Sequence, residues 1–154
     1  MIQGVISICK DPENFHGYNL IQPLLDGFSN FKKHPSFSNY FGYSLAVIAL
    51  CNTRQEVPDF VIQELVNGAN RVVSYHSVDI DALILTALSC VSTSNRTLQH
   101  KVDRASSKLV RSLIKAQNSS TGAFGNQYTT ALAVEVEQPS NNIMYIFYKL
   151  LGKF

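Results

Sequence analysis

Charge is scarce in this chain. Lys, Arg, Asp and Glu make up 16% of its 154 residues, and the net charge is +2. No run of Lys or Arg exceeds the pair Lys32-Lys33, which argues against nucleic acid as a partner. Long hydrophobic runs are missing too. No stretch approaches the roughly 18 uninterrupted apolar residues that a membrane-spanning helix needs, so no membrane insertion is expected. The apolar start, Met1 to Cys9, lacks a charged leader and meets Lys10-Asp11-Pro12 early, which is a poor signal peptide. Cysteine is limited to Cys9, Cys51 and Cys90. There is no Cys-x-x-Cys and no close Cys/His cluster of the zinc type, and an odd count leaves one thiol over in any disulfide scheme.

What is present is apolar and helical in pattern. A hydrophobic content of 45% over this length suits one globular domain with a sizeable core. Three times a polar loop opens into an apolar, alanine-containing segment: Ser38-Asn39-Tyr40-Phe41-Gly42-Tyr43 into Ser44–Cys51, Tyr75-His76-Ser77-Val78-Asp79 into Ala82–Cys90, and Gly125-Asn126-Gln127-Tyr128-Thr129-Thr130 into Ala131–Val134. Such self-similarity suggests a repeat architecture. Residues 1–8 are too short to assign to helix or strand, and 10–17 read as a loop. Leu20 to Phe31 carries a helical stripe with Pro23 in its first turn. Segments 40–51 and 78–91 are apolar around nearly the whole circumference and predict buried helices. Between them, Pro58 is placed to open an amphipathic helix with Phe60, Val61, Leu65 and Val66 on its apolar side. Leu98 to Gln117 is amphipathic again, with Val102, Ala105, Leu109, Leu113 and Ala116 opposed by Lys101, Arg104, Lys108, Arg111 and Lys115. A third buried helix begins near Gln127, Gln138-Pro139-Ser140 breaks it, and a last helix is expected over 141–151.

Buried and amphipathic helices therefore alternate. The simplest geometry is a double layer, an inner row of buried helices and an outer row of amphipathic ones, with an irregular helical bundle as the alternative. If the inner helices run parallel, their N-termini gather at one rim, and unpaired N–H groups there suit a polar ligand. The side chains converging on that rim would be Ser38, Asn39, Tyr40, Phe41, His76, Ser77, Asp79, Asn126, Gln127, Tyr128 and Thr130. This neutral, hydrogen-bonding set with aromatics reads as a binding site more than a reaction centre. Each member also has a plainer role. Ser77 could be an N-cap and Asn126 or Thr129 another, Asp79 and Asp81 could answer the helix dipole, His76 could be a surface or capping histidine, Tyr40, Phe41, Tyr43 and Tyr128 could edge the core, and Cys51 and Cys90 could be buried thiols. Two sequons, Asn95-Arg96-Thr97 and Asn118-Ser119-Ser120, would accept glycans in a secreted chain.

The segments Asn39–Cys51, His76-Ser77-Val78-Asp79 through Cys90, and Gly125–Ala133 resemble the eukaryotic cobalamin-binding transport proteins, the group of transcobalamin, intrinsic factor and haptocorrin, from about Gly4 to Pro139. The resemblance implies an all-α fold of the α/α-toroid kind, here a partial toroid domain over 1–154, with the family's C-terminal β-rich domain absent. It implies cobalamin as the transported ligand, a non-enzymatic carrier, secretion, and a cell-surface receptor as a further partner. It also implies a Cys51–Cys90 disulfide between two inner helices, and a partner for Cys9 beyond residue 154. By motif position, Asp79 would accept hydrogen bonds from the carboxamide arms of the corrin, Asn126 would bond to the same arms, and Ser38, Phe41 and Tyr128 would line the ligand. His76 matches a histidine that replaces water on cobalt in transcobalamin-type members. Phe41 stands where a tyrosine is usual, Gly42 where transcobalamin has a glutamine, and Glu135 where a glutamine is usual. Two other function classes fit a toroid. One is an enzyme of prenyltransferase or cyclase type, which needs zinc or an acidic cluster and finds only Asp79 and Asp81 as a close pair. The other is a helical protein-interaction module without a small ligand.

Overall fold

The computed structural model describes residues 1–31, 40–71 and 78–135. Over these the protein is all-α, with helices α1 (Ile2–Ser7), α2 (Ile21–Ser29), α3 (Tyr40–Asn52), α4 (Asp59–Asn70), α5 (Val78–Cys90), α6 (Arg96–Ala116) and α7 (Gln127–Glu135). The helix expected over 141–151 and the break at 138–140 lie outside the described residues.

Local chemistry sets the helix ends. Pro58 is the residue before α4 rather than its first, with φ −60° and ψ 143°. Its carbonyl accepts from the N–H groups of Val61 (2.9 Å) and Ile62 (3.1 Å), so proline starts the helix where its missing N–H costs nothing. The α6 helix begins two residues before Leu98 because Asn95 caps it, its Oδ1 accepting from Leu98 N at 3.2 Å. Past α3 the chain turns through Arg54 at φ 58°, a left-handed conformation that ends a helix.

Five contacts orient the helices. Cys51 and Cys90 form a disulfide with Cα atoms 6.0 Å apart. Each lies at or next to the C-terminus of its helix, and α3 and α5 pack side by side, so the two run parallel. Lys101 Nζ donates to Gln63 Oε1 (2.8 Å) and Lys108 Nζ to Ala69 O (2.9 Å). Both sequences ascend together, so α4 and α6 are also parallel. Ser112, near the end of α6, bonds Asp81 at the start of α5, and Thr93, just past α5, donates to Asp59 at the start of α4 (2.6 Å). The α4–α6 pair therefore runs opposite to α3 and α5. Helix α7 packs on the remaining flank of α5. The result is two layers, α3-α5-α7 and α4-α6, as the alternation of buried and amphipathic segments predicts.

The core lies between the layers. Val47 and Leu50 of α3, Ile62 and Leu65 of α4, Ile84 and Leu85 of α5, and Leu109 and Leu113 of α6 are all sealed from solvent. Each such side chain stabilises the fold by roughly 1.5–3 kcal/mol relative to exposure. Helices α1 and α2 flank α3, and Phe28 and Phe31 meet the buried ring of Tyr43 edge-on, with centroids 4.9 Å and 4.5 Å away.

Two expectations about faces fail. Phe60 is 54% exposed. At 100° per residue it lies nearly opposite Ile62, Leu65 and Val66, so it belongs to the outer face of α4 and not to its apolar stripe. Ala116 is exposed as well, because it is the last residue of α6 and overruns the core.

Candidate functional site

The inner helices bring their first turns to one end of the molecule. The disulfide joins the C-termini of α3 and α5, so Tyr40 and Val78 stand at the opposite end. Helix α6 returns to that end at Ser112, and a loop folded on itself (Asn118 N to Ala123 O, 2.8 Å; Gly122 N to Asn118 O, 2.8 Å) launches α7 from there. Phe41, Asp79 and Tyr128 are each the second residue of their helix. Three of the expected ligand-lining residues thus occupy the same position in three inner helices.

Their surroundings differ. Asp79 is half-buried, and its Oδ1 is shielded from water with no hydrogen-bond partner among the described residues. The α5 dipole favours a carboxylate there, yet an unpaired buried acceptor costs about 1–3 kcal/mol. Phe41 is 39% and Tyr128 74% exposed. Leu45, one turn after Phe41 and also exposed, extends an apolar stripe along α3. Asn126 is the cap of α7, its Oδ1 accepting from Tyr128 N (2.8 Å) and Thr129 N (3.0 Å). That engages its oxygen, and the side-chain NH2 has no hydrogen-bond partner among the described residues. Thr130 secures the same loop: its hydroxyl donates to Asn126 O (2.8 Å) and accepts from Phe124 N (3.0 Å). Ser38, Asn39, His76 and Ser77 lie outside the described residues.

Tyr40 does not contribute a free hydroxyl to the rim. It turns to the outer layer and donates to Glu64 Oε1 at 2.8 Å. Burial first, then the bond to Glu64 and that residue's charge, push its pKa up to about 12, against a smaller opposing pull from Arg71. Arg71 lies over the Tyr40 ring, 5.4 Å from its centroid, donates to Gly68 O at 2.6 Å, and sets Nη2 3.5 Å from Asp81 Oδ1. Asp81 is 1% exposed, and its Oδ2 accepts from Ser112 Oγ at 3.1 Å. Sequence reasoning missed this chain of polar groups, Glu64–Tyr40–Arg71–Asp81–Ser112, which joins α3, α4, α5 and α6. The signal was Asp81 itself, the acidic residue of α5 that directly precedes its apolar run Ala82–Leu85.

The implied disulfide is present: Cys51 pairs with Cys90, and Cys9 is exposed and free. Among the described residues, no three His, Cys, Asp or Glu side chains are grouped to hold a metal ion, and no helix is long and apolar enough to cross a membrane.

Comparison with known proteins agrees with the motifs. Residues 2–139 match the family model described as eukaryotic cobalamin-binding protein. The chain is 32% identical over 134 residues to an uncharacterized Drosophila melanogaster protein, CG3556, covering 86% of this chain and 20% of that one. It is 32% identical over 113 residues to transcobalamin-2 of Bos taurus, covering 70% of this chain and 26% of the relative. For human transcobalamin-2 the identity is 33% over 107 residues, covering 68% and 25%. The chain therefore spans about a quarter or less of these relatives. By the match over residues 2–139, together with these identities, the chain belongs to the eukaryotic cobalamin-binding protein family.

Proposed function

We propose that this chain binds cobalamin at the rim formed by the first turns of α3, α5 and α7, as part of a secreted, non-enzymatic carrier. The observation that carries the reading is Asp79 Oδ1, a shielded carboxylate oxygen with no partner within the described fold. The corrin ring is fringed with primary carboxamides, whose N–H groups are donors, and an ionised carboxylate only accepts. A ligand amide satisfies the oxygen that the fold leaves empty. The side-chain NH2 of Asn126 offers the complementary donor to a carboxamide oxygen. Phe41, Leu45 and Tyr128 supply exposed apolar surface for the flat, largely apolar macrocycle.

Two further residues complete the reading. Ser38, by its motif position, contributes a hydroxyl to the ligand. His76, three residues before Asp79, replaces water on the upper face of cobalt, since neutral imidazole is a good ligand for the ion. In the whole carrier the two layers continue into a closed α/α toroid. A β-rich domain covers the ligand's other face, a cysteine outside this chain pairs with Cys9, and a cell-surface receptor recognises the loaded protein. The family match and the transcobalamin relatives support this setting.

The test is a titration of aquocobalamin into the purified, oxidised protein, followed through the visible absorption of the corrin. A saturable spectral shift that disappears in His76→Ala supports both the pocket and the cobalt contact. Binding without a shift keeps the pocket and removes His76 from cobalt. No binding at micromolar concentration overturns the reading for this chain.

A further inference from the structure

The outward face of α6 is a double row of cations. Six of the chain's 13 Lys and Arg residues lie on this one helix, Arg96, Lys101, Arg104, Lys108, Arg111 and Lys115, against a single carboxylate, Asp103. At 100° per residue, Lys101, Lys108 and Lys115 form one line, and Arg104 and Arg111 form a second beside it, each repeating about every 10.5 Å. Leu98, Val102, Leu109 and Leu113 take the opposite side, in the core. Asp103 sits on the far flank and accepts from Gln99 Nε2 at 3.0 Å. None of the six cations is paired with a carboxylate among the described residues, where the ion pair is Arg71–Asp81. Lys101 and Lys108 are held in place by neutral oxygens, Gln63 Oε1 and Ala69 O, so their positions are fixed and their charge is uncompensated.

Beside the rows runs an open groove of about 420 Å³ between α4 and α6. Its α4 wall presents the amides of Gln63, Asn67 and Asn70, and its α6 wall adds Thr97, Lys101 and Arg104. The face therefore offers regularly spaced cations next to amides and a hydroxyl, and this pairing selects among polyanions. A bilayer needs several apolar side chains to insert, and the two helices expose a single large one, Phe60 of α4, which does not line the groove. Single-stranded nucleic acid needs a row of aromatic platforms along the groove, and its lining holds no aromatic side chain other than His100.

We propose that the α4–α6 face binds a linear sulfated polysaccharide of the heparin class, with sulfates on the α6 cations and sugar hydroxyls on the α4 amides. Such a site would hold the protein at glycan-coated cell surfaces independently of what fills the rim.

The experiment measures binding of a heparin oligosaccharide to the purified protein at low and physiological salt. Arg104→Gln with Arg111→Gln is compared with Lys10→Gln plus Arg54→Gln, which removes the same net charge elsewhere. None of these four side chains makes a hydrogen bond or ion pair through its charged group among the described residues, so all variants should fold. The α6 pair is expected to lose about tenfold in affinity and the control pair less than twofold, with binding weakening as salt rises. Asn67→Ala with Asn70→Ala should lose severalfold without changing the salt dependence. Equal losses in the two charge pairs would reduce the effect to net charge and overturn the site. So would competition by duplex DNA or anionic phosphatidylserine vesicles as effective as that of heparin. No binding of heparin at micromolar concentration overturns it outright.

Discussion

The ring of Tyr40 lies so close to Gly68 that a Cβ built on the glycine would stand 2.5 Å from both Cδ1 and Cε1. Glycine is ordinarily a weak residue inside a helix, and here it makes room for an aromatic ring passing from the inner to the outer layer. Gly68→Ala gains helix propensity of about 1 kcal/mol, but overpacking against the ring costs about 1–3 kcal/mol, for a net loss of up to about 2 kcal/mol. Thermal unfolding should show a net loss in the wild-type background and a gain once Tyr40 is also truncated to Ala. A stabilised single variant would refute the contact.

The Arg71–Asp81 pair predicts an asymmetry. The Asp81 side chain is 2% exposed and that of Arg71 17%. Arg71→Ala strands a carboxylate in the core and should cost about 3–5 kcal/mol. Asp81→Ala leaves a guanidinium that can still reach water and Gly68 O, and should cost less. Denaturant unfolding of both variants measures the difference, and equal costs would count against this account.

Tyr40 couples stability to alkaline pH. Its pKa stands at about 12 in the folded protein against 10.0 unfolded, so the folded state holds the proton more tightly. Its contribution is fully present below the unfolded value and is lost as pH rises from about 10 through 12. Unfolding free energy should fall across that window, and Tyr40→Phe should flatten part of the fall. Tyr43, whose pKa burial also pushes up, accounts for a remaining slope.

The disulfide spans a sequence separation of 39. Loop-closure entropy for that length corresponds to about 4 kcal/mol of stabilisation. Cys51→Ala with Cys90→Ala should lower the denaturant midpoint by an equivalent of about 2–4 kcal/mol, and reducing agent should do the same to the native chain while leaving the double variant unchanged.

Asp79 separates binding from folding. Its Oδ1 has no partner among the described residues to lose, so Asp79→Ala sets relief of an unpaired buried oxygen, about 1–3 kcal/mol, against a helix-dipole contribution of about 0.3–1 kcal/mol, and should not destabilise the fold. Its cobalamin affinity should fall at least about tenfold, the scale of a lost charge-assisted hydrogen bond. A large loss of stability would instead make Asp79 a structural carboxylate.

The layers were legible because periodicity reports burial directly. The segments of α3 and α5 are apolar all round and are buried on most sides, and the polar face of α6 is read off its lysines and arginines. Asn126 was recognisable as a possible cap from its place before a helical run. Pairings between distant residues were not legible. Nothing near Arg71 says that it meets Asp81, or that Tyr40 reaches Glu64 24 positions away, because those encounters depend on how helices cross. The Cys51–Cys90 bond likewise came from family likeness and not from spacing. Phe60 shows the limit of an apolar stripe: one residue of offset moves a side chain by 100° and out of the core.

Each helix packs chiefly against neighbours one or two elements away in the chain, and α5 touches α3, α4, α6 and α7 in turn. Such wiring gives a low contact order. The two-helix units can add one after another as the polypeptide leaves the ribosome, with α5 as the element on which both sides assemble. Folding should then be fast and largely insensitive to substitutions in α1 or α2, while damage to α5 should slow it.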